Sequence, residues 1–143
     1  MLRVVLDTNV FVSSLLSKGG ATAQVLDAWQ ERRFLLVISP AIIAEIQRVL
    51  RYPHIQRKYA VNEEDILALT ELLQQEALVV PGASHVTGVI PEDADDEVIL
   101  ACAVDGMADC IVSGDHHLLD LGQFGNIPIW TVQGFLEHLL SPP

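Results

Sequence analysis

Short apolar runs rich in β-branched residues alternate, along this chain of 143 residues, with longer stretches whose apolar positions recur at helical spacing. Leu2–Leu6 (LRVVL) reads as a first, buried strand. Thr22–Arg33 reads as a helix, with Ala23, Val25, Leu26 and Trp29 on one face. Phe34–Ile38 (FLLVI) is a second strand. Ser39-Pro40 then makes a helix start, with Ser as cap and Pro in the first turn. That helix carries Ile42, Ile43, Ile46 and Leu50 and ends before Pro53. Asn62, followed by Glu63, Glu64 and Asp65, opens another helix that runs to about Gln75, its acids complementing the helix dipole. Leu78–Val80 is a short strand closed by Pro81-Gly82. Asp95–Gly106 is helical, Asp109–Val112 and Ile127–Trp130 are strands, and Thr131–Leu140 is a final helix. Strands separated by helices predict an α/β fold with a parallel sheet covered on both faces. No repeat, low-complexity tract or linker divides the chain, so residues 1–143 are expected to form one domain.

Composition narrows the class. Half of the residues are hydrophobic, enough for a packed core. The longest apolar run, Val98–Val104, is too short to cross a bilayer, and no signal-peptide pattern opens the chain. Cys102 and Cys110 sit in apolar contexts and read as reduced core residues. Together these features point to a cytoplasmic protein with no membrane association. The net charge of −11 argues against a freestanding nucleic-acid binder, because phosphate contacts dominate such affinity. It argues less against an enzyme whose metal ions neutralise its own carboxylates. Arg48, Arg51, Arg57 and Lys58, half of all the Lys and Arg, fall in an acid-free stretch from Ile46 to Val61. They form either an ordinary solvated helix end or a basic patch for RNA or an acidic partner.

The acids carry the chemistry. Asp7 directly follows the first strand, so it belongs at the carboxyl edge of the sheet, where α/β proteins build their sites. Asn9, two residues on, could hold that carboxylate or a metal-bound water. Glu45 lies in an otherwise apolar helix segment, PAIIAEIQRVL. Pro91–Glu97 packs five acids into seven residues, among them Asp93 and Asp96, ahead of Val98-Ile99-Leu100-Ala101. Ser113-Gly114-Asp115 follows another strand, so Asp115 also reaches a carboxyl edge. Each acid alone could be a helix cap or a solvated side chain. Four acids, each delivered by its own element toward one edge, suit a hard divalent cation, which takes oxygen ligands. The tandem His116-His117 reads as bland, since adjacent helical residues diverge, and no zinc spacing occurs.

In order and spacing these segments resemble the motifs of the PIN-domain family: strand–Asp7-Thr8-Asn9, Ser39-Pro40 with Glu45, Asp96 with Ile99, Ala101 and Ala103, and Ser113-Gly114-Asp115. The resemblance covers about residues 1–135, and the run Asp93-Ala94-Asp95-Asp96 resembles the subgroup related to the VapC ribonuclease toxins. It implies a three-layer α/β/α sandwich around a parallel sheet and an endoribonuclease dependent on Mg²⁺ or Mn²⁺. Asp7, Glu45, Asp96 and Asp115 would be the catalytic, metal-binding acids, with Asn9, Ser113 and Asp93 in support. It further implies a homodimer and an antitoxin protein as partner.

Three other readings each lack a required feature. A haloacid-dehalogenase-like phosphatase needs a second Asp where Asn9 stands. A phosphate-receiver domain needs a late lysine, and none follows Lys58. A dinucleotide-binding domain needs a glycine fingerprint after its first strand. The remaining rival is a PIN-fold interaction module that binds an antitoxin-like partner without turnover. The gathered carboxylates weigh against it, because a pure docking surface has no use for mutually repelling charges.

Overall fold

A computed structural model describes residues 1–84 and 94–140. The elements run β1 (Arg3–Leu6), α1 (Thr8–Leu16), α2 (Gly20–Gln30), β2 (Leu35–Ile38), α3 (Pro40–Leu50), α4 (Pro53–Tyr59), α5 (Glu63–Glu76) and β3 (Leu78–Val79). After them come α6 (Ala94–Asp105), β4 (Cys110–Val112), α7 (His116–Leu121), β5 (Gln123–Phe124), β6 (Ile127–Trp130) and α8 (Val132–Leu140). The sheet order is β3-β2-β1-β4-β6-β5. Every pairing is parallel except that of β5 with β6, which is antiparallel. The α/β reading therefore holds, with a mostly parallel central sheet flanked by helices and an antiparallel edge that the apolar pattern did not disclose.

The central strands are buried for the reason their sequences suggest. Val4, Val5, Leu36, Val37, Ile111 and Val112 are almost wholly enclosed, as strands covered on both faces must be. α6 packs across β1 and β2, while α7 and α8 lie against β6. Ile99 to Ala103 are all buried in succession on α6, so its middle turn is core on every side, while Val104 is exposed. Edge-to-face contacts join α1 to α2 through Phe11 and Trp29 (6.3 Å between centroids) and the residue before β2 to α8 through Phe34 and Phe135 (5.3 Å). Cys102 and Cys110 are free and buried, and burial pushes both thiols up to about 12, which keeps them protonated.

Helix caps behave as the sequence predicts. The Ser39 hydroxyl accepts from the Ile42 amide with Pro40 in the first turn, and Asn62 forms a reciprocal capping box with Asp65. Two helices escape the sequence pattern. α1 buries Val10, Phe11 and Val12 in succession, so it shows no helical period. α4 buries nothing and begins at Pro53, which therefore opens a helix as well as closing one.

The end of α6 is held against the sheet. Gly106, just after α6, sits so close to β2 that a Cβ there would overlap the Cγ1 methyl of Val37. Gly106→Ala is expected to destabilise the fold by about 1–3 kcal/mol through overpacking. Chemical denaturation measures this, and a change below about 0.5 kcal/mol would contradict the close approach.

Candidate metal centre at the carboxyl edge

The chain builds outward from β1 through β2 to β3, then returns to lay β4 on the other side of β1. That reversal opens a crevice beyond the carboxyl ends of β1 and β4, the usual position for a site in an open α/β sheet. Leu6 faces Val112 in register, so the residues that follow, Asp7 and Ser113, emerge side by side. The Asp7 amide donates to the Val112 carbonyl (2.9 Å), and the Ser113 hydroxyl donates to Asp7 Oδ2 (2.8 Å). The same hydroxyl accepts from the Asp115 amide (3.0 Å). Ser113, fully buried, thus fixes the carboxylate of one acid and the backbone of another. Asp115 in turn caps α7, its Oδ1 accepting from the His117 amide at 2.8 Å.

Asp96, in the first turn of α6, is 4 % exposed. The residue takes part in other polar interactions, while its Oδ2 oxygen accepts no hydrogen bond from the described residues. Ligand atoms of Asp96, Asp115 and His117 lie within 4.8 Å of one another. Asp7, 7 % exposed, adjoins this trio through Ser113 and through electrostatic repulsion from Asp115. Two hard carboxylates and an imidazole form a donor set that fits a divalent cation. A cation there would also offset the repulsion between neighbouring acids.

The remaining expected site residues are placed less tightly. Asn9 is exposed and lines two adjoining cavities, one of about 500 Å³ beside Asp115 and His117, the other of about 740 Å³. Glu45 lines the second with Asn9, Tyr52 and Tyr59, outside the tight trio, and lies 3.8 Å from Arg48. Arg51 forks onto Glu63 across the α3–α5 gap (3.0 Å), which makes it a structural tie. Arg57 and Lys58 are exposed in the last turn of α4. Asp93 lies outside the described residues. Of the tandem histidines, His117 brings a ring nitrogen into this trio, while His116 stays out of it. A more apolar cavity of about 430 Å³, beside Met1, Trp29 and Phe34, lies at the opposite, amino edge of the sheet.

Comparison with known proteins agrees with this fold. The family model described as PIN domain matches residues 3–117, a span that contains every described residue of the cluster. The chain belongs to the PIN-domain family. It is 30 % identical over 120 residues to the uncharacterized protein MJ1680 of Methanocaldococcus jannaschii, covering 84 % of this chain and 75 % of that one. Among solved structures, VapBC2 from Rickettsia felis bound to a DNA fragment from their promoter aligns with a TM-score of 0.59 at 13 % identity. That match covers 91 % of this chain and 98 % of the other. FitAcB from Neisseria gonorrhoeae aligns with a TM-score of 0.52 at 17 % identity, with the same two coverages. At such identities the two structures establish this PIN domain's fold alone.

Burial holds the Asp7 carboxyl above its ordinary value of 3.8; the Ser113 hydrogen bond opposes this, and the Asp115 charge adds to it. The folded state therefore binds a proton that the unfolded chain has released, so stability falls as pH rises from near 3.8 through the raised value. Asp7→Asn keeps an acceptor for Ser113 and removes the charge. In metal-free protein at neutral pH it is expected to raise stability by about 1 kcal/mol, or about 4 °C in Tm. A lower Tm for the variant would contradict the electrostatic cost assigned to Asp7.

Proposed function

We propose that this PIN domain is a metal-dependent endoribonuclease that hydrolyses RNA phosphodiester bonds and serves as the toxin component of a toxin–antitoxin pair in the cytoplasm. The observation that carries the reading is the convergence of Asp7, Asp96 and Asp115 at the β1/β4 crevice of a PIN fold. Asp96 and Asp115 would hold a Mg²⁺ or Mn²⁺ ion, with Asp7 completing the carboxylate set beside them. When bound, the cation supplies Lewis-acid stabilisation of the charge on the scissile phosphate and lowers the pKa of the attacking water.

The chain's own residues supply position. Ser113 orients the Asp7 carboxylate and the Asp115 backbone together. Asn9 and Glu45 line the cleft beside them, where they can hold water or the RNA strand. Water adds to phosphorus in line, the bond to the 3′-oxygen breaks, and the products carry a 5′-phosphate and a 3′-hydroxyl. No side chain acts as nucleophile. Arg57 and Lys58, with Arg48 near Glu45, would meet the RNA backbone beside the cleft, whereas Arg51 is committed to Glu63. The paired proteins named in the VapBC2 and FitAcB structures support an antitoxin partner for this chain, and a homodimer is the assembly we favour.

The test is cleavage of a mixed cellular RNA by purified protein with Mn²⁺ or Mg²⁺, beside an Asp96→Asn variant and a chelator control. Cleavage is expected for the wild type, with a loss of at least about 100-fold in the variant. A folded, metal-loaded wild type that cuts no RNA yet binds a partner tightly would overturn this reading in favour of an interaction module.

A further inference from the structure

We infer that His117 is a nitrogen ligand of the same cation site and that it tilts the site from Mg²⁺ toward Mn²⁺. The inference rests on the metal-dependent reading above and adds a residue that the four-acid pattern does not contain. Three observations carry it. A ring nitrogen of His117 lies within 4.8 Å of carboxylate oxygens of both Asp96 and Asp115. The Asp115 carboxylate that caps α7 also sets the His117 backbone, so ligand and ligand-positioner are built from one hydrogen bond. The His117 side chain is 36 % exposed and lines the cavity of Asn9 and Asp115, which leaves the cluster open to solvent and to a substrate oxygen.

Donor chemistry then decides which ion the site prefers. Mg²⁺ dehydrates reluctantly and favours carboxylates with several retained waters. Imidazole is a borderline donor that suits transition ions, whereas carboxylate and water suit Mg²⁺ and Mn²⁺ alike. Mn²⁺ accepts both halves of this donor set. The competing role for His117 is that of a protonated counter-ion to the two acids, with Nδ1 at 3.5 Å from Asp115 Oδ1. In that role it would leave the site when a cation neutralised the carboxylates, and it would contribute no nitrogen to the metal.

Pulsed electron paramagnetic resonance on the Mn²⁺-loaded full chain separates the two. Protein carrying ¹⁵N-histidine is expected to show one imidazole nitrogen coupling, which disappears in His117→Gln and persists in His116→Gln. In parallel titrations, His117→Gln is expected to weaken Mn²⁺ binding by about 10-fold or more while changing Mg²⁺ binding by less than about 3-fold. The nitrogen signal of the unaltered protein is decisive even if Gln at 117 disturbs α7. Tight Mn²⁺ binding that depends on Asp96 but shows no nitrogen coupling would overturn the role of His117 and leave the metal reading standing. A wild type that binds no Mn²⁺ would overturn both.

Discussion

The pairing of Leu6 with Val112 sets the position of nearly everything at the carboxyl edge. Because β1 and β4 run parallel and in register, the residues after them, Asp7 and Ser113, leave the sheet as neighbours. A hydroxyl next to a buried carboxylate then has an obvious partner, and the 2.8 Å hydrogen bond between them follows. Ser113 passes the constraint on through the Asp115 amide, and Asp115 passes it to the first turn of α7. A chain of short-range hydrogen bonds thus transmits strand register to the placement of a histidine four residues downstream of Ser113. A slip of one residue between β1 and β4 would turn the side chains of the slipped strand to the opposite face and dismantle the cluster.

The cluster works against the fold that carries it. Desolvation and the Asp115 charge both disfavour an ionised Asp7, and only hydrogen bonds from Ser113 and nearby amides oppose them. Asp96 is buried more deeply still, on a helix whose next two turns are mostly core. Burial of several carboxylates a few ångströms apart adds nothing to packing that apolar residues would not supply better. Their cost becomes useful when a divalent cation enters, since the same low-dielectric surroundings that repel like charges strengthen attraction to the ion. The overall charge of −11 fits this picture: RNA affinity would come from local cations on α4 and from the metal rather than from the surface as a whole.

Much of this arrangement is legible in the sequence, for identifiable reasons. The central strands β1, β2 and β4 are almost wholly buried, so they stand out as apolar runs, and acids just beyond β1 and β4 are fixed at one edge by parallel topology alone. Ser39 and Asn62 announce their helices through cap chemistry that is local in sequence. What stayed hidden depends on tertiary neighbours. α1 is enclosed on too many sides to show a period, and α4 is enclosed on none. The antiparallel pair β5–β6 is too short to leave an alternation. Arg51 looks like part of a basic patch until α3 and α5 are seen to pack, which brings Glu63 to it. The nearness of a His117 ring nitrogen to Asp96 is likewise a tertiary feature, since the two residues lie on separate helices. Glu45 lines the adjoining cleft together with Asn9.

The central claim is that the acids at the β1/β4 crevice form a cation site. Isothermal titration of Mn²⁺ into metal-free protein, run beside an Asp7→Asn, Asp96→Asn double variant, tests it most directly. The account predicts saturable binding to the wild type and none to the variant, with both proteins folded. Equal binding by the two, or no binding by the wild type, would contradict it.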